Sequence, residues 1–538
     1  MMLHFVMFVG LLAVGRGDVF TAKESEDIKG YLETLMGCQD IPGLSIAVVK
    51  GNETWSLSLG YANIAAKREV TEETLFGIGS ITKSVTATLI ALMIDESKGN
   101  ITFDTTVSEL LGEGYDFMTK ETTIKDVLSH RTGLSSLTLA TIFGGPPGIS
   151  REDFSKLVGM LPSKPFRGEM LYSNYMYMVA GHITEKVWGA SWEENLNTRL
   201  LQQIGMTSTD PYIESDDVTE DRYARPYVYL RGELTEGDPS AFDIGNVGPA
   251  GSMASNIPDM VKFMRFMLNK GKLENGTQLI KEATIQQLWQ PVTPMPPFMA
   301  FIMEKLCPQW PVADVSVGYG MGWMRNVYRG RRNIWHAGGL HSYNSLLWLF
   351  PDSNVGLHIS INGPTLSSSK SPFNMLLSAL YYVTDIVLGE TPWLDRQTVC
   401  TFPKPWFDVS MFVPPSDTDD TPITPEYPLS DYAGSYFNPL VGEFLVTLDK
   451  STDQLRIKLN KLDGVLVPKR DGSFGLACNG VYEFLTWSEK DKPMYMYSAV
   501  FIRGADSFDG VDLVMTLPLD LPIRFQVQNR DDNIKTEL

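Results

Sequence analysis

The sequence predicts an α+β protein in two parts: one antiparallel sheet with helical insertions, then a small antiparallel β-domain beyond a linker. Three observations carry this. Strand-like runs at 44–49 and 54–59 are answered far along the chain by runs at 345–350 and 355–361. Apolar residues at helical spacing fill the interval, so both ends of the segment feed one sheet and there is no βαβ winding. Beyond 414–422, a linker by its Pro, Asp and Thr content, strand runs such as 443–448 alternate with turns marked by Gly434, Gly464, Gly472, Gly480 and Gly510. That rhythm reads as a closed antiparallel unit of barrel type.

In chain order, Lys50-Gly51-Asn52-Glu53 turns the first strand into the second. A helix is expected at 258–270, burying Met260, Phe263, Met264 and Met267. The stretch 289–315, rich in Pro and Met, is expected to be a packed insertion, with a lid or lipid-facing flap as the alternative. Residues 351–354 turn between two strands, and the apolar run 372–384 is stopped by Asp385, too early to cross a bilayer. The expected partition is a signal peptide at 1–17, an α+β domain at 18–400, a linker at 401–429, a β-domain at 430–530 and a polar tail at 531–538.

Lys+Arg 45 against Asp+Glu 64 leaves a net charge of −19, which repels phosphate backbones and speaks against a nucleic-acid partner. The apolar stretch 5–14, with Gly15 and Gly17 before Asp18, has the form of a secretory leader, though its first residues carry no Lys or Arg. Secretion is therefore the expected localisation. Sequons at Asn52, Asn100 and Asn275 fit glycosylation there. The final Lys-Thr-Glu-Leu makes retention in the endoplasmic reticulum the lesser alternative. Cys38, Cys307, Cys400 and Cys478 allow one or two bridges, with the pairing open. No metal or cofactor is expected: the six histidines form no HExxH, and His336 with His341 lacks a third ligand. No Gly-x-Ser-x-Gly elbow occurs.

Two Ser-x-x-Lys sequences compete as a nucleophile site. Ser367…Lys370 sits in a serine-rich run ending at Pro372 and reads as a loop. Ser80…Lys83 opens a run in which Ile81, Val85, Leu89 and Leu92 keep an amphipathic helical period, closed by Lys98-Gly99. Positions i and i+3 share a helix face, so Lys83 reaches Ser80 Oγ, and the first-turn N–H of Ser80 is free to meet an oxyanion. The bland alternative is a serine N-cap with an exposed lysine. Tyr172-Ser173-Asn174 adds a phenol for proton transfer and an amide for a substrate carbonyl; His336-Ala337-Gly338-Gly339 adds glycines that let a substrate backbone approach a strand edge.

In this order the three motifs resemble those of the serine β-lactamase/penicillin-binding-protein superfamily. Their spacing is similar to the branch of class C β-lactamases, D-aminopeptidases and related esterases. Ser129-His130-Arg131-Thr132-Gly133-Leu134, Pro249-Ala250-Gly251 and Tyr319-Gly320-Met321-Gly322-Trp323 resemble further segments of that branch, so the likeness spans about 30–395. After the linker, Tyr432-Ala433-Gly434-Ser435-Tyr436 resembles a lipocalin-like C-terminal domain. The resemblance implies a β-lactamase/transpeptidase-like fold with Ser80 acylated, Lys83 and Tyr172 sharing acid and base duty, and Asn174, His336, Gly338 and Gly339 binding substrate. The N–H groups of Ser80 and Gly339 would form the oxyanion hole. His336 stands where β-lactamases usually carry Lys, which turns the expected substrate toward a small ester or a peptide-like, D-amino-acid amide. The bulky Leu340-His341-Ser342-Tyr343 after the glycines is expected to narrow the cleft. The rival reading is a catalytically silent, acidic secreted protein of an extracellular, calcium-rich matrix, suggested by the −19 charge.

Overall fold

The computed structural model describes residues 18–115, 117, 119–214, 216–308, 312–367, 370–407, 423–490, 493–505, 507–516 and 521–528. The expected leader at 1–17, the linker core 414–422 and the tail 531–538 lie outside the described residues.

The first part is one eight-stranded sheet whose two halves come from opposite ends of the domain. Its strands are β1 (Gly43–Lys50), β2 (Glu53–Asn63), β3 (Arg68–Glu69), β4 (Asp314–Tyr319), β5 (Met324–Tyr328), β6 (Arg331–Leu340), β7 (Tyr343–Phe350) and β8 (Val355–Ile361). They lie in the order β3-β2-β1-β8-β7-β6-β5-β4. The β1–β8 ladder closes the sheet, with Leu44 opposite Ile361 and Lys50 opposite Val355. The antiparallel α+β architecture is therefore as expected.

Both faces are covered, so the central strands are apolar almost throughout. Leu44, Ile46 and Val48 point into one core with Leu346, Trp348 and Ile359, under helices α1 (Ala22–Gln39) and a C-terminal helix, Pro372–Val387. Ala47, Val49, Leu347 and Leu349 point into the other, against the helical part. That part contains α2 (Ile81–Glu96), α3 (Asn174–Trp188) and α4 (Ile257–Leu268). In α4 the expected stripe, Met260, Phe263, Met264 and Met267, is buried.

Helix α2 departs from its expected amphipathic form. Ile81 through Met93 are all buried, polar residues included. Thr86 and Ser84 hydroxyls donate to the carbonyls of Pro249 and Gly322, and Thr88 to Ser84 O, so burial leaves these hydroxyls satisfied. The helix also ends before Lys98, at Glu96, and its last turn carries no basic residue. The Pro-rich insertion holds a short helix, α5 (Pro297–Lys305), followed by Leu306, Cys307 and Val312 in the sheet's core, while Phe301 remains exposed.

Cys38, near the end of α1, is bonded to Cys400, beyond the C-terminal helix α6 (Pro372–Val387) that packs beside α1. Cys307 and Cys478 are buried and unbonded. Beyond the linker, strands from Gly434–Asn438 to Ile523–Val527 form a closed eight-stranded antiparallel barrel. Tyr432, Tyr436, Phe474, Phe501 and Phe508 form one ring cluster in this part, mostly edge to face, with Tyr432 and Phe508 stacked. The barrel docks on the first part: Lys461 Nζ contacts Asp243, Asn460 Nδ2 donates to Gly144 O, and Arg231 pairs with Glu483.

Candidate active site

Ser80 sits at the N-cap of α2, yet its side chain makes no capping hydrogen bond, which removes the bland reading of this residue. The preceding Gly79 has φ +50, and a Cβ there would stand 2.5 Å from Gly339 N. Glycine at 79 thus lets the start of α2 press directly on β6. Gly338 makes the same approach from the other side; a Cβ on it would overlap Ile78 O. Ladder pairing between β5 and β6 ends at Trp335–Met324, so from His336 onward β6 has no strand partner on that edge among the described residues. Gly339 is exposed there.

Lys83, one turn into α2, is fully buried. Its Nζ lies 2.9 Å from Ser80 Oγ, 2.7 Å from Asn174 Oδ1 and 2.8 Å from Ala250 O. The last two atoms only accept. A neutral amine has two N–H groups and one lone pair, and this set of partners uses all three when the Ser80 hydroxyl faces the lone pair. Burial pushes the Lys83 ammonium well below its ordinary pKa, in keeping with that count. The rings of Tyr172 and Tyr177 lie 4.7 and 5.6 Å from Nζ.

The Tyr172 side chain lines the same cavity as Ser80, and burial raises its pKa, so it stands as a neutral phenol. His336 is buried on β6. Its Nδ1–H donates to Ala337 O at 2.7 Å, and Tyr319 OH donates to Nε2 at 3.0 Å. Burial and the neighbouring Lys83 lower its pKa to about 3. It is a neutral ring with both nitrogens engaged within the chain. A cavity of about 280 Å³ opens on these groups, lined by Ser80, Tyr172, His336 and Gly338-Gly339, with Met324, Phe373 and Leu376 as apolar wall.

The structure thus brings together Ser80, Lys83, Tyr172, Asn174, His336, Gly338 and Gly339 from three separate stretches of chain. Asn52, Asn100 and Asn275 are exposed on the surface. Among the described residues no cluster of His, Cys, Asp or Glu is arranged to hold a metal, and no helix is long and apolar enough to cross a membrane. The second pair does not form a site: Lys370 Nζ bonds Cys38 O and Asp40. The bulk after Gly339 does not fill the cleft in the expected way. The Tyr343 ring is buried against Gly77 with its hydroxyl bonded to Ala224 O, and His341 packs among Phe242, Tyr482 and Phe484. Ala250, His130 and Tyr319 were visible in the sequence only as marks of resemblance; here one holds Lys83, one lies on Tyr172 and one holds His336. Nothing in the sequence singled out Met324, Phe373 or Leu376, since each is an ordinary apolar residue until the fold joins them.

A family model described as Beta-lactamase matches residues 28–376, well over half of the chain. The chain belongs to the beta-lactamase family. The unguisins hydrolase ungD' of Aspergillus campestris is 27% identical over 437 residues, 77% of this chain and 76% of its own length. Among solved structures, the octameric penicillin-binding protein homologue from Pyrococcus abyssi matches with TM-score 0.56 and 20% identity, over 93% of this chain and 99% of its own. The D-amino acid amidase from Ochrobactrum anthropi, in complex with D-phenylalanine, matches with TM-score 0.56 and 20% identity, over 69% of this chain and 100% of its own. At these identities the two structures speak for the beta-lactamase fold alone.

Proposed function

We propose that this chain hydrolyses a small ester or a D-amino-acid amide through an acyl-enzyme on Ser80. The observation that carries the proposal is the set of Lys83 contacts, which suits a neutral amine facing the serine hydroxyl. Lys83 takes the Ser80 proton as Oγ attacks the substrate carbonyl. The negative charge on the carbonyl oxygen is met by the N–H groups of Ser80 and Gly339, with the positive end of α2 behind the first. The new ammonium sits over the faces of Tyr172 and Tyr177, a favourable place for a cation. The Tyr172 phenol gives its proton to the leaving alcohol or amine and recovers one from Lys83. Water then attacks the acyl ester by the reverse proton path, releasing the acid and free Ser80.

The neutral His336 offers no fixed positive charge for a β-lactam carboxylate, which favours esters and amides over β-lactams. A cavity of about 280 Å³ with an apolar wall suits a compact apolar acyl group. The names of two of its likenesses, an unguisins hydrolase and a D-amino acid amidase, agree with amide chemistry. We propose further that the protein is secreted and glycosylated. What supports this is a disulfide, which persists in oxidising compartments, and three exposed sequon asparagines.

The test is hydrolysis of p-nitrophenyl acetate, D-phenylalaninamide and a chromogenic cephalosporin by the wild type and Ser80→Ala, with intact-mass detection of the acyl adduct. Ester or amide turnover and an adduct, both lost in Ser80→Ala, are expected. Equal rates in the two proteins would overturn the proposal and leave the silent, acidic matrix reading standing.

A further inference from the structure

His130 is the buried titratable group nearest the reacting residues that the mechanism above does not use. It grips the Tyr172 segment at three points. Its backbone carbonyl accepts from Leu171 N–H at 3.0 Å, its Nδ1 accepts from Ser173 N–H at 3.0 Å, and its ring lies 4.2 Å from the Tyr172 ring at 34°. The two residues flanking Tyr172 are therefore both tied to one residue, which also supports the phenol's own ring. To face the segment with carbonyl and imidazole together, His130 adopts φ +56, a left-handed conformation uncommon for a residue with a side chain. Backbone strain of this kind persists where the surroundings hold it, often beside a functional site.

The imidazole is fully buried, and its Nε2 has no hydrogen-bond partner among the described residues. The groups around it are the rings of Tyr172, Tyr177 and Tyr319, with Lys83 and His336 as the other titratable bases. Desolvation, with Lys83 and His336 adding to it, holds the ring neutral. Because Nδ1 accepts, the proton of the neutral ring is on Nε2, enclosed by aromatic faces. A buried N–H without a partner costs stability, so a core built for packing alone would be better served by an apolar ring.

We infer that His130 is a positioning residue for the hydrolysis, holding the Tyr172 phenol in the cavity it shares with Ser80 through the Leu171 and Ser173 amides and the shared ring contact. This rests on the proton-transfer role proposed for Tyr172. His130→Phe keeps a ring on Tyr172 but strands the Ser173 N–H. His130→Asn offers an oxygen near the place of Nδ1 and gives up the ring.

The experiment follows Ser80 acylation by the burst of p-nitrophenol in the wild type, His130→Phe, His130→Asn, Tyr172→Phe and His130→Phe/Tyr172→Phe, at a temperature where melting curves show each folded. A displacement of the phenol near 1 Å predicts an acylation rate about 10²-fold lower in His130→Phe, with a smaller loss in His130→Asn. The decisive result is coupling: in the Tyr172→Phe background, His130→Phe lowers the rate by less than about threefold. Full, additive loss in that background would overturn the inference, as would wild-type acylation by His130→Phe. A wild-type rate in Tyr172→Phe alone would instead remove the phenol's role, and the inference with it. If His130→Phe does not fold, the same cycle is run with His130→Asn.

Discussion

A methyl group added at Gly338 would stand 1.8 Å from Ile78 O and 2.5 Å from Ser345 Oγ. Neither neighbour is free to yield: Ile78 O accepts from that same Ser345 hydroxyl at 2.8 Å and from the Ile81 N–H at the start of α2. Reaching ordinary contact requires the gap between β6 and the Ile78-Gly79-Ser80 segment to widen by roughly 1.5 Å. Those two sides carry Gly339 and Ser80, so the spacing of the two oxyanion N–H groups changes with it. Misplacing one such donor costs about 10²–10³ in rate, or roughly 2.7–4 kcal/mol of transition-state stabilisation. Gly338→Ala is therefore expected to lower kcat/KM on p-nitrophenyl acetate about 10²–10³-fold. Its packing strain of about 1–3 kcal/mol should also lower Tm. Gly339→Ala is the control, since its Cβ meets only Asn344 Oδ1, at 3.4 Å; a loss below about tenfold is expected, because ordinary van der Waals contact needs little adjustment. Steady-state rates and thermal melts on the two variants decide the matter. A kcat/KM for Gly338→Ala within threefold of wild type (about 0.65 kcal/mol) would refute the packing argument.

Three other outcomes follow from the same geometry. Lys83 has a depressed pKa in the folded protein, so its cost to folding grows as pH falls from its unfolded value of about 10.4 toward the folded one. Lys83→Met is expected to raise Tm at pH 7 while lowering kcat about 10²–10⁴-fold, and a lower Tm would contradict neutral burial. The acid limb of kcat/KM should come from protonation of Lys83, because His336 is already neutral down to about pH 3; its position should persist in His336→Gln, and a limb that vanishes there would reassign the base. Tyr482 and Phe484 of the barrel pack on His341, two residues beyond Gly339. Replacing both by alanine should cost about 3–5 kcal/mol of local packing per ring at most and reduce kcat/KM more than KM, with unchanged kcat showing that the barrel does not brace β6.

The sequence was a good guide where structure is local. The strands of the closing ladder, the buried stripe of α4 and the start of α2 at Ser80 all answer to period or to backbone geometry. It misled at α2, where the period of Ile81, Val85, Leu89 and Leu92 predicts an amphipathic helix, yet Thr82, Ser84, Thr86 and Thr88 are buried as well. A hydroxyl that bonds a nearby carbonyl is as easily buried as a methyl, and periodicity counts only polarity. The bulk at 340–343 misled in a similar way, because residue size says nothing of direction: Tyr343 turns into the core and His341 toward the barrel. The bridge between Cys38 and Cys400 was one of several open pairings until α1 and α6 packed side by side.

What the sequence by itself determined is that Ser80 and Lys83 face each other, since three residues on a helix make nearly one turn wherever the helix lies. Only the tertiary structure decided what kind of lysine this is. Burial alone pushes its pKa well below the ordinary value, while two acceptors contributed from far along the chain, Asn174 Oδ1 and Ala250 O, hold its N–H groups in place. Helix geometry is set by short-range sterics and is written in neighbouring residues; desolvation is set by everything that excludes water, and is written nowhere in particular.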